Sequence, residues 1–229
     1  GQQWMLKEGK RSKSYFFLQV SLMIEMKLDI PEFQKKVDDV CRRRGTLRFA
    51  YAYSNLKKPY AVELSDRKAE LLFFDYSHLE ESEVQKTIED VSLADYRKGF
   101  DLEKDPLLRI TVISLKEENR YAFIISQPHI NSDGTSICLL IKDLFIDYVF
   151  HASVPDRTDD HILQKYSSYL AGIDKNSELQ YWKKLLEKLP EDISLPGQMD
   201  PRDRDYDQGV VFVPMREHTS AAIDAAQKR

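Results

Sequence analysis

Residues 105–136 read DPLLRITVISLKEENRYAFIISQPHINSDGTS, and the pattern of this stretch decides the fold class. It contains two dense apolar runs, Leu107 to Leu115 and Tyr121 to Ser126, with a short charged segment between them. Apolar runs of this length predict an antiparallel pair of strands at the centre of a sheet. A polar loop over 127–134 follows, and the apolar run 135–150 after it predicts a helix.

The sequence before this stretch predicts three further strands and two helices. Apolar residues occupy alternate positions over 15–27, which indicates a long, half-buried strand. Asp29 then stands at the start of a helix, because aspartate is a preferred cap. The apolar face of that helix consists of Phe33, Val37, Val40 and Cys41. Shorter strands are predicted over 47–53 and 70–74, and an amphipathic helix begins near Glu80.

The sequence after this stretch predicts two more helices, over 162–170 and 177–189, and a last strand over 210–213. The alternation of strands with covering helices predicts an α/β (α+β) fold. We expect a two-layer sandwich in which a mixed, largely antiparallel sheet is covered by helices.

The composition excludes several classes of protein. Of 229 residues, 34 are basic and 38 are acidic, so the net charge of -4 gives no basic field for a nucleic-acid partner. Charged residues make up 31% of the chain, which disfavours membrane spans and hence a membrane partner. Two cysteines, Cys41 and Cys138, are too few for a disulfide framework or a zinc site. We therefore expect no bound metal and a reducing, cytoplasmic location.

The polar loop between the second apolar strand and its helix is the strongest candidate for chemistry. His129 stands just beyond the strand, where a side chain can project into a cleft, and histidine serves as a general base near neutral pH. Asp133 can orient the loop or bind an arginine, and Gly134 lets the backbone turn into the helix. Ser136 offers a hydroxyl in the first helical turn, where the helix amino terminus favours negative charge on an acyl oxygen.

Several segments, in order, match those of a known family. Ser126 to Ser136 (SQPHINSDGTS) resembles the HHxxxDG signature of nonribosomal peptide synthetase condensation domains, which belong to the chloramphenicol acetyltransferase-like superfamily. Arg43 to Arg48 (RRGTLR) is similar to the family's RHxxLR segment, and residues 99–109 (GFDLEKDPLLR) are similar to its FDL…PLLR segment. The other matches are Tyr181 to Leu185 with Leu195-Pro196, which resemble a YW…L…LP segment, and Gln3 to Leu6, which resemble the end of a QxxML motif.

The resemblance implies an acyltransferase that forms amide or ester bonds between acyl and aminoacyl thioesters. It implies that His129 accepts a proton from the attacking amine or positions that amine. The substrates would arrive on the phosphopantetheine arms of donor and acceptor carrier-protein domains, with no cofactor bound by this chain. Asp133 would be structural, paired with an arginine of the segment that contains Arg43 and Arg48, and Gly134 would permit close backbone approach.

The sequence departs from the family pattern at two positions. Pro128 stands where the family has its first histidine, and Arg44 stands where the RHxxLR segment has its own. Proline removes a backbone donor, so the hydrogen bonds of the loop must differ from the usual ones. Three alternatives therefore stay open: a non-catalytic module that recruits a carrier or tailoring protein, a standalone acyl-CoA-dependent acyltransferase, and an epimerisation domain.

The resemblance covers only half of a condensation domain. Such domains have two similar lobes, and the DFGWG-type segment and bridging latch of the second lobe are not in this sequence. We therefore expect residues 1–229 to be the amino-terminal lobe, with the carboxy-terminal lobe missing. The isolated lobe is expected to be inactive, because half of the tunnel between the lobes is missing.

Overall fold

The computed structural model describes residues 16–150 and 162–189. Contacts divide the chain into two units, Gly1–Ala171 and Gly172–Arg229. The strands are β1 (Phe17–Glu25), β2 (Phe49–Ala52), β3 (Tyr60–Glu63), β4 (Glu70–Asp75), β5 (Arg109–Ser114) and β6 (Arg120–Pro128). The helices are α1 (Ile30–Arg43), α2 (Glu81–Lys98), α3 (Gly134–Ile141), α4 (Asp147–Phe150), α5 (Ile162–Gly172) and α6 (Lys175–Leu186), with a 3₁₀ turn at Gly45–Arg48 and a π-helical turn at Lys142–Ile146.

Within the described residues, four strands form the main sheet in the order β1-β6-β5-β4. Strand β6 is antiparallel to both β1 and β5, whereas β4 runs parallel to β5. Strands β2 and β3 form a separate antiparallel pair. The prediction of a mixed, largely antiparallel sheet is confirmed, and the two dense apolar runs are its central strands.

Helices cover both faces of this sheet. On one face, α1 and the residues from α3 through the π-helical turn pack against a set of strand residues, namely Ile110, Val112, Phe123 and Ile125. On the other face, Val84 and Ile88 of α2 pack against Ile113 and Ile124. Because side chains alternate along a strand, adjacent residues of β5 and β6 pack into clusters on opposite faces of the sheet. The covering by helices is confirmed, and α2 adds one layer to the expected two.

Helix α1 begins where the sequence predicts. The Asp29 side chain accepts a hydrogen bond from the Glu32 amide at 2.8 Å, and Pro31 stands in the first turn, where no amide partner is needed. The predicted apolar face is buried, with Phe33, Val37 and Val40 at 0% exposure and Cys41 at 2%. Fully burying side chains such as Val or Phe stabilises the fold by about 1.5–3 kcal/mol each.

The structure differs from the predicted elements in three places. Strand β3 was not predicted, because all of its residues are exposed and it lacks an apolar alternation. The single helix expected over 135–150 is interrupted by the π-helical turn. Strand β6 extends through Gln127 and Pro128, which the sequence pattern assigns to the loop.

The remaining predictions concern the ends of the chain and the second unit. Helices α5 and α6 are confirmed, and the described residues of α6 are all exposed, including Tyr181 and Trp182. The strand predicted over 210–213 and the segments Leu195-Pro196 and Gln3 to Leu6 lie outside the described residues. Within the described part of the chain, no helix combines the length and apolar character needed to cross a membrane.

Candidate functional site

Strand β6 delivers His129 to the end of the sheet. The His129 amide donates to the Phe16 carbonyl oxygen at 2.8 Å, which extends the pairing of β6 with β1 by one residue. Because successive amides along a strand point to opposite sides, the nitrogen of Pro128 faces away from β1. On that side β5 starts only at Arg109, the partner of Ser126. Proline at position 128 therefore removes no hydrogen bond between β6 and β1.

Hydrogen bonds between nearby residues close the loop around His129. The Ser132 hydroxyl donates to Gln127 Oε1 at 2.9 Å, and both residues are buried. The Asn131 amide donates to the Pro128 carbonyl at 3.3 Å and completes a turn. These bonds bracket His129 on both sides, so the backbone that carries its ring is held in one conformation.

Asp133 caps helix α3. Its carboxylate accepts hydrogen bonds from the Ser136 hydroxyl at 2.6 Å and the Ser136 amide at 2.7 Å. These bonds, the hydroxyl's first, lower the pKa of Asp133, and the nearby His129 imidazole adds to the effect. Among the described residues Asp133 forms no ion pair with Arg43 or Arg48, the pairing that the resemblance implies. Its carboxylate lies exposed at the start of α3 and accepts from the amide and hydroxyl of Ser136.

Arg43 and Arg48 stabilise the carboxyl end of α1 instead. The Arg43 guanidinium pairs with Asp39, one turn earlier in the helix, at 2.9 Å. The Arg48 guanidinium donates to the Cys41 carbonyl at 2.9 Å and pairs with Glu63 of β3. Cationic groups are favourable at this end of a helix because its last carbonyls have no partner within the helix.

Gly134 has open space around it among the described residues. It is the first residue of α3, and a Cβ atom placed there would meet no described atom within 4 Å. The expected close backbone approach is therefore absent from the described part of the chain. Gly45 is the tighter position, because a Cβ atom there would lie 2.7 Å from Glu63 Oε1.

Two segments singled out by the sequence do contact the loop. Ile130 is 6% exposed and packs in a cluster with Tyr51, Phe100, Leu102 and Leu107, which brings the segment 99–109 to the loop. The Asn131 side-chain amide donates to the Thr46 carbonyl at 3.3 Å, which brings the segment 43–48 to the loop. The loop thus rests on both segments through packing and one hydrogen bond rather than through an ion pair.

Three of the residues that shape this loop were not predicted from the sequence. Gln127, Asn131 and Ser132 each form a side-chain hydrogen bond in or beside the loop. Asn and Ser in a short polar loop are residue types that bond to nearby backbone or side chains, and this was the available signal. The orientation of Gln127 had no such signal, because a polar residue at a strand end is equally compatible with solvent exposure.

The model of one protein family, the Condensation domain, matches residues 1–229. The chain belongs to the condensation domain family. Surfactin synthase subunit 2 of Bacillus subtilis (strain 168) is 32% identical over 197 residues, which is 84% of this chain and 5% of that protein. Gramicidin S synthase 2 of Brevibacillus brevis is 28% identical over 191 residues, which is 81% of this chain and 4% of that protein.

Solved structures have the same fold. The starter condensation domain of the rhizomide synthetase RzmA matches with a TM-score of 0.68 and 16% identity over 82% of this chain and 46% of that domain. The epimerization domain from the third module of tyrocidine synthetase B matches with a TM-score of 0.65 and 20% identity over 84% of this chain and 44% of that domain. The chain therefore spans less than half the length of each of these relatives.

In this condensation domain chain, the loop offers an imidazole, a carboxylate and the amino terminus of α3. The ring of His129 is half-buried and has no hydrogen-bond partner among the described residues, so its nitrogens are available to a ligand. The lowered pKa of Asp133 favours its ionised carboxylate. Across residues 16–150 and 162–189, no cluster of three or more His, Cys, Asp or Glu side chains is arranged to hold a metal ion.

Proposed function

We propose that this chain contributes the His129 loop to a condensation domain of a nonribosomal peptide synthetase. The reaction is the formation of an amide, or an ester, between acyl and aminoacyl groups that carrier-protein domains hold as thioesters. The amine nitrogen of the acceptor attacks the thioester carbon of the donor, a C–N bond forms, and the C–S bond breaks. The proton lost by the amine is transferred to the departing pantetheine thiolate.

His129 supports this proposal more than any other residue. Its backbone is fixed by bonds on both sides, whereas its ring has no described hydrogen-bond partner and is partly exposed at the end of β6. A ring held in this way accepts the amine proton, or orients the amine lone pair toward the thioester. Asp133 stays bonded to Ser136 and keeps the start of α3 in place beside the ring.

We further propose that the chain is the amino-terminal lobe of the domain. The support is its coverage of 46% of the length of a solved condensation domain, together with the HHxxxDG-like loop that it carries. On this proposal its partners are the second lobe and the donor and acceptor carrier-protein domains. Phosphopantetheine belongs to those carriers as the arm of the substrate, and this chain binds no resident cofactor. The location is cytoplasmic.

The test compares His129→Ala with His78→Ala in the complete protein that contains this chain. The protein receives ATP, magnesium and the standard amino acids, and peptide release is followed by mass spectrometry. We expect His129→Ala to lower the rate by on the order of 100- to 10,000-fold. His78 is an exposed histidine after β4, so His78→Ala should keep the wild-type rate. An unchanged rate in His129→Ala contradicts the proposal.

A second arm of the same experiment identifies the donor. Acetyl-CoA replaces the carrier-bound donor, and an amine acceptor is offered in solution. The proposal predicts no product with acetyl-CoA, because the donor is recognised on its carrier. Acyl transfer from acetyl-CoA without any carrier would identify a standalone acyltransferase of the same superfamily.

A further inference from the structure

A row of polar side chains crosses the main sheet just before the His129 loop. Gln19 of β1, Ser126 of β6, Arg109 of β5 and Glu70 of β4 are register partners across all four strands. Ser126 and Arg109 are each 1% exposed, so the middle of the row is buried. Buried polar groups of this kind are stable only when their hydrogen bonds are satisfied.

The carboxylate of Asp95 on α2 satisfies three of these side chains. Its Oδ2 accepts hydrogen bonds from the Ser126 hydroxyl at 2.6 Å and from Gln19 Nε2 at 2.8 Å. Its Oδ1 accepts a hydrogen bond from Arg109 Nη1. One buried carboxylate therefore joins α2 to β1, β5 and β6 at the end of the sheet from which His129 emerges.

The remaining contacts of Arg109 lead toward the same loop. Its Nη2 donates to the Gly99 carbonyl at 2.7 Å, and its Nε donates to Glu70 at 3.0 Å. The guanidinium carbon lies 4.4 Å from the ring centroid of Phe100. Phe100 belongs to the cluster that holds Ile130, the residue after His129. Arg109 is thus linked to the loop on both sides of His129.

The energetics of this ion pair favour a role in register. Because both charges lose their hydration, a buried ion pair contributes little net stability compared with apolar residues of similar volume. A shift of one residue in β5 would turn Arg109 away from Asp95 and toward the apolar cluster that contains Ile110 and Val112. The pairing with Asp95 therefore selects one register of β5 and β6.

We propose that Arg109, together with Asp95 and Ser126, is a positioning residue for His129. By fixing the end of β6 against β1 and α2, the three residues keep the His129 amide on the Phe16 carbonyl and its ring at one place in the site. This inference rests on the proposed function for its effect on rate. Its effect on the His129 amide is independent of that function.

The test uses an apolar triple variant, Asp95→Leu with Arg109→Met and Ser126→Ala, and the single variant Ser126→Ala. The control is Thr111→Val, which replaces a residue of β5 on the same face, 2% exposed, that lies outside the row. For each variant we would measure the melting temperature, the hydrogen exchange of the His129 amide in this chain, and the rate of peptide release in the complete protein.

We expect the triple variant to melt at or above the wild-type temperature, to exchange the His129 amide faster, and to lose rate by on the order of 10- to 100-fold. Thr111→Val should match the wild type in exchange and rate. A triple variant that folds and keeps both the wild-type rate and the slow exchange overturns the inference. If the triple variant does not fold, Ser126→Ala decides by the same two readouts against Thr111→Val.

The outcomes separate this inference from the proposed function. A rate that is unchanged in His129→Ala contradicts the proposed function and leaves the exchange measurement valid. Unchanged exchange and rate in Ser126→Ala, beside a strong loss in His129→Ala, overturn the role of the polar row alone.

Discussion

His129 takes its position from hydrogen bonds of its backbone and of the adjacent loop rather than from hydrogen bonds of its own ring. The Phe16 carbonyl holds its amide, and the Gln127–Ser132 hydrogen bond closes the loop around it. The proposed proton exchange with a substrate requires a ring whose nitrogens are not occupied by hydrogen bonds, and the His129 ring makes none among the described residues. Substitution of the residues that hold the His129 backbone should therefore lower the stability of the chain, and this loss of stability can be measured without any substrate.

Removing the hydroxyl of Ser132 should destabilise the loop. In Ser132→Ala the buried Gln127 Oε1 loses the hydroxyl that donates to it, and an unsatisfied buried acceptor costs about 1–3 kcal/mol. Urea unfolding of the chain measures this free energy. The control is the double variant Ser132→Ala with Gln127→Met, which removes both partners and should recover part of the loss. Equal losses in the single and the double variant would contradict this role for the hydrogen bond.

Glu103 should make the stability of the chain depend on pH in acid. Its carboxylate accepts hydrogen bonds from the Ser54 amide at 2.8 Å and the Tyr53 amide at 2.9 Å, and these bonds lower its pKa to about 2. Because the folded pKa lies below the ordinary value, the stabilisation is present above about pH 4.5 and is lost as the pH falls toward about 2.

The variant Glu103→Gln tests this dependence. We expect its melting temperature to fall less steeply than that of the wild type between about pH 4.5 and about pH 2, since the variant has no carboxylate to protonate there. Glu118→Gln changes an exposed glutamate without described hydrogen bonds and should keep the wild-type slope. Identical slopes for Glu103→Gln and the wild type would show that these bonds do not favour the ionised form.

At the scale of elements, the sequence predicted those with a strong apolar period and missed those without one. Strand β1 and helix α1 follow periods of two and of three to four residues, and both lie where they were predicted. Strand β3 has no buried residue, and it is held by pairing with β2, which leaves no local signal. The π-helical turn interrupts an apolar run whose buried residues Leu140, Leu144 and Phe145 also fit the period of an α-helix, so the apolar pattern gave no signal for the interruption.

The candidate site was also predictable only where its signal is local in the sequence. The residues of the loop were predictable, because a histidine and a helix cap between a strand and a helix form a local pattern. The long-range partners were not predictable, because they come from distant segments: Thr46 for Asn131, and Glu63 for Arg48. Arg44 is the clearest case, because it stands where the family has histidine and pairs with Asp143 of the π-helical turn at 2.6 Å.

At the scale of the whole molecule, apolar side chains remain exposed on the segment that follows the site. Leu139, Ile146 and Val149 are 48%, 46% and 49% exposed, and Phe150 is 73% exposed. Exposed apolar side chains of this kind are typical of a surface that associates with another protein surface. This agrees with the proposal that the chain supplies one lobe of a larger domain, in which a second lobe completes the site.

The 229-residue chain by itself should therefore bind its substrates without forming a peptide. On the proposal that the chain is one lobe of the domain, it supplies only the His129 side of the reaction centre. A donor thioester and an acceptor amine would then not both be held in attacking geometry, which contributes a large part of the rate of such a reaction. We expect the 229-residue chain to form no peptide from loaded carrier domains under conditions in which the complete protein does. His129→Ala in the complete protein provides the inactive reference. Peptide formation by the chain alone at the rate of the complete protein would mean that the loop, its capped helix and the polar row below it suffice for catalysis, and that the second lobe serves only to dock the carriers.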